Sequence, residues 1–284
     1  MASSSDTSRV WFITGCSTGF GRALAQRVLK KGYRCVVTAR DPAQIRDLVD
    51  SYPQHGLALP LDVTNPEQRE QAIATAERQF GSIDILVNNA GHGYNSGIEE
   101  GEESVVRAMF DTNFFALAAL IRRVLPGMRA RRRGHIINIS SIGGIVGNPG
   151  SGYYCASKFA VEGLSQSLSN EVAPLGIRVT LIEPGPFRTD FQGRSIKVPD
   201  TAIDAYAETA GARRAQLRES SGKQPGDPVR AADAIIKVAE SDAPPLHLVL
   251  GRVGLERVRD KLTGHLRTIS DWEEVTLSTD FPQP

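Results

Sequence analysis

Tyr154 and Lys158 stand four positions apart in "YCASK", downstream of the serine pair Ser140–Ser141. On a helix that spacing puts both side chains on one face. A phenol with a pKa of about 10 is a poor acid or base near neutrality, and a neighbouring ammonium favours the phenolate. The pair is therefore either a tuned proton donor or a contact on a helix surface. Tyr153 and Ser140 duplicate the two residue types, and spacing alone leaves both readings open.

A second candidate is "TGCSTGFG", Thr14–Gly21, placed between an apolar run and an amphipathic one. Glycines at 15, 19 and 21 let a backbone approach a pyrophosphate, and the first amides of the following helix can bind the anion. The alternative is a tight turn with no ligand. Asp41 falls where an acid would hold the ribose of NAD, yet it precedes Pro42, and Asp-Pro is a helix cap followed by a first-turn proline. Arg40 is then left beside the ribose, where a guanidinium pairs with a 2′-phosphate. The expected cofactor is NADP(H) rather than NAD(H).

These groups need a frame. Apolar runs at Val10–Thr14, Arg34–Thr38, Gly56–Leu61, Asp84–Asn89, His135–Ser140, Arg178–Glu183 and Leu246–Leu250 read as strands, continuous enough for a parallel sheet covered on both faces. Amphipathic stretches lie between them. One is capped by Asn65, started by Pro66 and stopped by Gly81. A long one near Asn113 is expected to bend at Pro126. The alternation predicts a doubly wound α/β fold with a mostly parallel seven-stranded sheet. Residues 1–9 read as a flexible tail and 10–251 as the catalytic domain. A lid-like insertion falls near 190–227, and residues 252–284 as a helical extension packed on the same body. The arginine run Arg129–Gly134 reads as a solvated helix end or an anion site.

The chain has 284 residues, with 33 basic and 32 acidic side chains and a net charge of +1. That balance gives no electrostatic case for nucleic acid or an anionic membrane. The three cysteines have no framework or metal spacing, and the N-terminus has no secretory pattern. A cytoplasmic protein is expected. The five histidines show no metal-ligand spacing, so no metal is expected.

Taken together, "TGCSTGFG", Asp62 in "LDVT", "NNAG", Asn113, Ser141, "YCASK" and "EPGPFRTD" make the chain resemble the classical short-chain dehydrogenase/reductase family, in particular members related to hydroxysteroid and retinol dehydrogenases. The resemblance spans roughly Val10 to Leu250 and implies a Rossmann fold. It selects Tyr154 over Tyr153 and Ser141 over Ser140. It implies Tyr154 as proton donor, Lys158 as the cation that lowers its pKa, Ser141 as donor to the substrate oxygen, and Asn113 as support for a water chain to Lys158. For the cofactor it implies Gly15, Ser17, Thr18, Gly19, Phe20, Gly21 and Arg40 around the glycine turn, Asp62 and Val63 at the adenine, and Asn89, Ala90 and Gly91 along the nucleotide. Pro184, Gly185, Phe187 and Thr189 would meet the nicotinamide.

The expected reaction is NADP(H)-dependent interconversion of a carbonyl and a secondary alcohol. The pocket would be walled by "SIGGIVGNPG", "GHGYN" and the segment after Phe187, which suits a mainly apolar ketone. A non-catalytic NADP(H)-binding regulator, or an isomerase or dehydratase on the same scaffold, are the alternatives. Family relatives are often dimers or tetramers, so a homo-oligomer is expected.

Overall fold

The computed structural model describes residues 8–193 and 195–281. Residues 1–7, most of the expected tail, lie outside that set. All seven apolar runs form strands: β1 Val10–Ile13, β2 Arg34–Ala39, β3 Gly56–Pro60, β4 Ile85–Asn88, β6 Gly134–Ile139, β7 Ile177–Pro184 and β9 His247–Leu250. A two-residue β5, Gly93–Tyr94, pairs in parallel with β8, Ile196–Lys197. The large sheet runs β3-β2-β1-β4-β6-β7-β9, and every pair in it is parallel. Strand order reverses beside β1, between β1 and β4, which opens a crevice at the strands' carboxyl ends.

Helices cover both faces because both faces are apolar. α1 (Gly19–Lys30) and α8 (Pro228–Glu240) share one core with Trp11, Ile13, Val37 and Ile85. α3 (Pro66–Phe80), α5 (Ala116–Arg131) and α6 (Gly152–Val172) share the other with Phe12, Val36, Leu86 and Ile136. Local signals hold where chemistry is specific. Asn65 Oδ1 accepts from the Gln68 amide at 2.9 Å, and Gly81 closes α3 with a left-handed φ of 85°. Asp41 Oδ1 accepts from the Ala43 amide at 2.9 Å, so it caps as expected. The turn it starts leads into α2 (Arg46–Val49).

α4 (Glu103–Phe110) runs into α5 through a π turn at Asp111–Phe115, which contains Asn113. The irregularity thus falls at Asn113, and α5 runs on through Pro126 to Arg131. By length and composition Glu103–Arg131 could cross a membrane. Its Leu117, Leu120, Ile121 and Val124 are instead buried in the second core. At its end Arg131 and Arg132 donate to the carbonyls of Ile83 and Pro174, and Arg133 reaches Asp84, which accounts for the arginine run without a ligand.

The insertion contains β8, a π turn at Ala207–Gly211 and α7 (Ala212–Ser220). The C-terminal extension corrects an expectation. α9 (Arg252–Asp271) buries only Gly254 and Val258, and every described residue from 259 to 281, including α10 (Glu273–Leu277), is exposed. The extension is anchored by its first turns and then leaves the body.

Candidate active site

The glycine turn leaves β1 and enters α1 with Gly15 and Gly19 at φ of 70° and 59°, a region L side chains rarely adopt. A Cβ on Gly21 would sit 2.3 Å from the Gly15 carbonyl oxygen and 2.4 Å from Asn89 Nδ2. Thr14 Oγ1 accepts from the Asn89 and Ala90 amides at 2.9 and 3.0 Å, and Asn89 Nδ2 donates to the Thr14 and Gly15 carbonyls. These bonds weld the β4 end to the turn. Thr18 stands at the N-cap of α1 without a side-chain capping bond, and no acidic residue follows in the first turn. The first amides of α1 therefore remain free for an anion, and the residues present fit a dinucleotide pyrophosphate.

The turn opens into a cleft of ≈ 1040 Å³ along the carboxyl edge of the sheet. Ser17, Thr18, Phe20, Arg40, Asp62, Val63, Ala90, Gly91, Ser141, Tyr154, Lys158, Pro184, Gly185, Phe187 and Thr189 all line it, with Gly15, Gly19 and Asn89. Gly21 and Asn113 stand behind the wall. Asp62 Oδ1 accepts from the Thr64 amide and hydroxyl, which with Arg40 holds its carboxyl below the usual range. Phe187 packs on Phe20, ring centroids 5.1 Å apart.

α6 resolves the doubled tyrosine. Tyr153 turns outward and donates to the Ile98 carbonyl at 2.8 Å. Tyr154 faces the cleft beside Ser141, its ring 5.6 Å from that of Phe191. Ser141 Oγ accepts from the Gly143 amide at 3.0 Å. Ser140 also borders the cleft, but it is buried and lies beside Glu162.

The electrostatics differ from the expectation that Lys158 lowers the Tyr154 pKa. Desolvation pushes the Tyr154 phenol up to about 12, with Ser141 opposing. Lys158 Nζ is 5.9 Å from the Tyr154 ring centroid and donates to the Ile139 carbonyl at 2.8 Å. Burial draws Lys158 itself down to about 8, against the charge of Glu162. In the chain alone burial governs the phenol, and the Ser141 hydroxyl is the group that opposes it.

Asn113 is a fully bonded amide. Its Nδ2 donates to the His92 carbonyl at 2.9 Å and to Ser157 Oγ at 3.1 Å, and its Oδ1 accepts from the His92 amide at 3.0 Å. It thereby ties the Gly91–His92 loop to α6. A Cβ on Gly91 would lie 3.7 Å from Lys158 Nζ, so that loop is packed against the lysine.

Spacing along the chain missed Glu162, Glu183 and His247. They come from α6, β7 and β9, and their ligand atoms lie within 4.8 Å of one another. His247 Nδ1 is within hydrogen-bond reach of Glu183 Oε1 at 2.6 Å and lies 3.6 Å from Glu162 Oε2. Burial pushes Glu162 up to about 7. Their only sequence signal was that Glu162 follows Lys158 by one helical turn.

A family model described as "short chain dehydrogenase" matches residues 9–198. The chain belongs to the short-chain dehydrogenase family. This short-chain dehydrogenase is 36% identical over 272 residues to "Oxidoreductase BOA17" of Botryotinia fuckeliana, covering 95% of this chain and 99% of that one. It is 35% identical to human "Retinol dehydrogenase 8", covering 84% and 80%. A solved short-chain dehydrogenase from Streptomyces avermitilis superposes with a TM-score of 0.90 at 39% identity, covering 96% and 100%. More distant solved members were obtained with NADP (a metagenomic oxidoreductase, 26% identical, TM-score 0.69, covering 87% and 98%) and with NAD (from Burkholderia phymatum, 24% identical, TM-score 0.77, covering 97% and 97%). The short-chain dehydrogenase is thus an oxidoreductase of a family that uses a nicotinamide dinucleotide, close to its retinol dehydrogenase-like members.

Proposed function

We propose that the chain is an NADP(H)-dependent carbonyl reductase for mainly apolar ketones, running in reverse on the matching secondary alcohols. The observation that carries this reading is the placement of Tyr154: on the cleft wall with Ser141, one helical turn from Lys158. Bound along the cleft, the reduced dinucleotide supplies the hydride. The remaining work falls to the chain. The Gly143 amide occupies a Ser141 lone pair and leaves the hydroxyl proton to be donated to a substrate oxygen. Tyr154, kept protonated by burial, gives its proton to that oxygen as negative charge develops. Lys158, placed beside Gly91, holds positive charge near the same oxygen.

NADP(H) is supported by Arg40, which is exposed at the cleft while the Asp41 carboxylate is engaged in capping. An apolar substrate is supported by Ile142, Phe191, Leu217 and Val253 in the cleft lining, and by a relative whose name is that of an apolar alcohol. The test is a ketone panel offered at equal NADPH and NADH, read by loss of reduced-nicotinamide absorbance. Stoichiometric oxidation of NADPH by apolar ketones is expected. Substrate conversion without cofactor consumption would point to an isomerase or dehydratase instead.

A further inference from the structure

The cleft beyond Tyr154 contains two cations that the expected wall segments did not supply. Arg213 comes from α7 and Arg257 from α9, the two segments appended to the sheet core. Both line the cleft, together with Tyr154 and Cys155. Each is held by a neutral amide. Arg213 donates to Gln216 Oε1 at 2.7 Å, and Arg257 donates to Asn148 Oδ1. Among the described residues neither has an ion-pair partner. Arg213 Nε is buried and has no hydrogen-bond partner.

The two guanidinium groups also feel each other. Arg257 and burial together lower the Arg213 pKa, and both arginines pull on the thiol of Cys155, the neighbour of Tyr154. Like charges brought together in a partly desolvated cleft are unfavourable unless an anion joins them. Guanidinium is the cation whose planar fork matches a carboxylate. Phe191, Leu217 and Val253 line the same cleft and give an apolar body somewhere to lie.

We propose that Arg213 and Arg257 form a subsite for a carboxylate, so that the preferred substrate is a ketone with an apolar body and one anionic end remote from the reacting carbonyl. This rests on the carbonyl-reductase reading for the reaction, but the subsite itself does not need turnover to be detected.

The test has two arms. In the first, the melting temperature of the chain is measured with decanoate and with 1-decanol. Decanoate raises it more than the alcohol does, and Arg213→Gln or Arg257→Gln removes the difference. In the second, kcat/KM is compared for 9-oxodecanoic acid and its methyl ester. The acid is favoured by about tenfold, and the ratio falls toward about one in either variant. The arginines sit on different helices, so a folding defect in one variant leaves the other to decide. Equal stabilisation by decanoate and decanol, or an acid-to-ester ratio that neither substitution moves, overturns the subsite. If no ketone oxidises NADPH or NADH, the reductase reading fails, while the melting arm still decides the subsite.

Discussion

Arg214 grips both carboxylate oxygens of Glu100, at 2.5 and 3.1 Å, with both side chains largely shielded from solvent. Glu100 also accepts from the amides of Gly97 and Ile203. One carboxylate thus fastens α7 to the loop beyond β5. These bonds hold Glu100 down to about 2. A carboxyl depressed on folding contributes stability that is present above its unfolded pKa, about 4.5, and lost as pH falls toward about 2. Glu100→Gln is expected to lower the melting temperature at neutral pH and to flatten its fall between those limits. Because α7 lines the cleft, loosening it should also raise KM more than it lowers kcat. A melting curve that parallels the wild type at every pH would remove this role.

His135 offers a second pH-dependent signature. It is buried in β6, with Nε2 2.9 Å from Thr180 Oγ1, and desolvation takes its pKa down to about 3, with Arg9 and Arg178 adding to the effect. The folded chain keeps it neutral while the unfolded chain protonates it below about 6.5. Stability should therefore decline as pH falls from about 6.5 toward about 3, at up to roughly 1.4 kcal/mol per pH unit. In His135→Gln that slope should be reduced, as chemical denaturation at a series of pH values would reveal.

Tyr154→Phe should abolish nearly all turnover and leave dinucleotide affinity within a few-fold of wild type, read by fluorescence titration. The ring and its packing on Phe191 stay, and only the proton donor goes. Comparable activity in this variant would take the proton-donor role away from Tyr154.

Glu162 is the group that raises the Lys158 pKa against burial. Around it stand Ser140, Glu183, His247 and Lys158, so its own charge depends on three titratable neighbours. Glu162→Gln should let Lys158 lose its proton at lower pH. The alkaline limb of the kcat profile should then move down by about one unit. Glu183→Gln acts oppositely, because Glu183 raises the Glu162 pKa and its loss favours ionised Glu162. Shifts of the same sign in both variants would contradict this coupling.

If Arg40 selects NADPH as proposed, Arg40→Asp should reverse or erase that preference, since an acid suits a ribose hydroxyl and repels a 2′-phosphate. The ratio of kcat/KM for the two cofactors measures it. An unchanged ratio would leave Arg40 without this duty.

The strands were legible because a parallel sheet covered on both faces demands unbroken Val, Ile and Leu, as in "VWFI" and "GHIINI". Asp41 and Asn65 were legible because a cap is local chemistry. Tyr154 could be told from Tyr153 only through the family resemblance, and the structure then gives the physical distinction: one hydroxyl reaches Ile98, the other the cleft. The Glu162–Glu183–His247 cluster was not legible, because β7 and β9 bring it together across long stretches of chain. Arg213 and Arg257 were hidden for the same reason, since nothing local shows where an insertion or a terminal helix will turn its cations. The sign of the Tyr154 shift was missed because spacing reports a charged neighbour and says nothing of desolvation.

Beyond Val258 every described residue of the terminal helix is exposed, Leu262, Leu266 and Ile269 among them. A helix in that state owes its persistence to local propensity, which is marginal at such lengths. Its outer turns and the sheet body are therefore separate cooperative units. Amides past Arg259 should exchange with solvent at the cost of fraying alone, while those of β1 and β4 wait for the whole sheet to open.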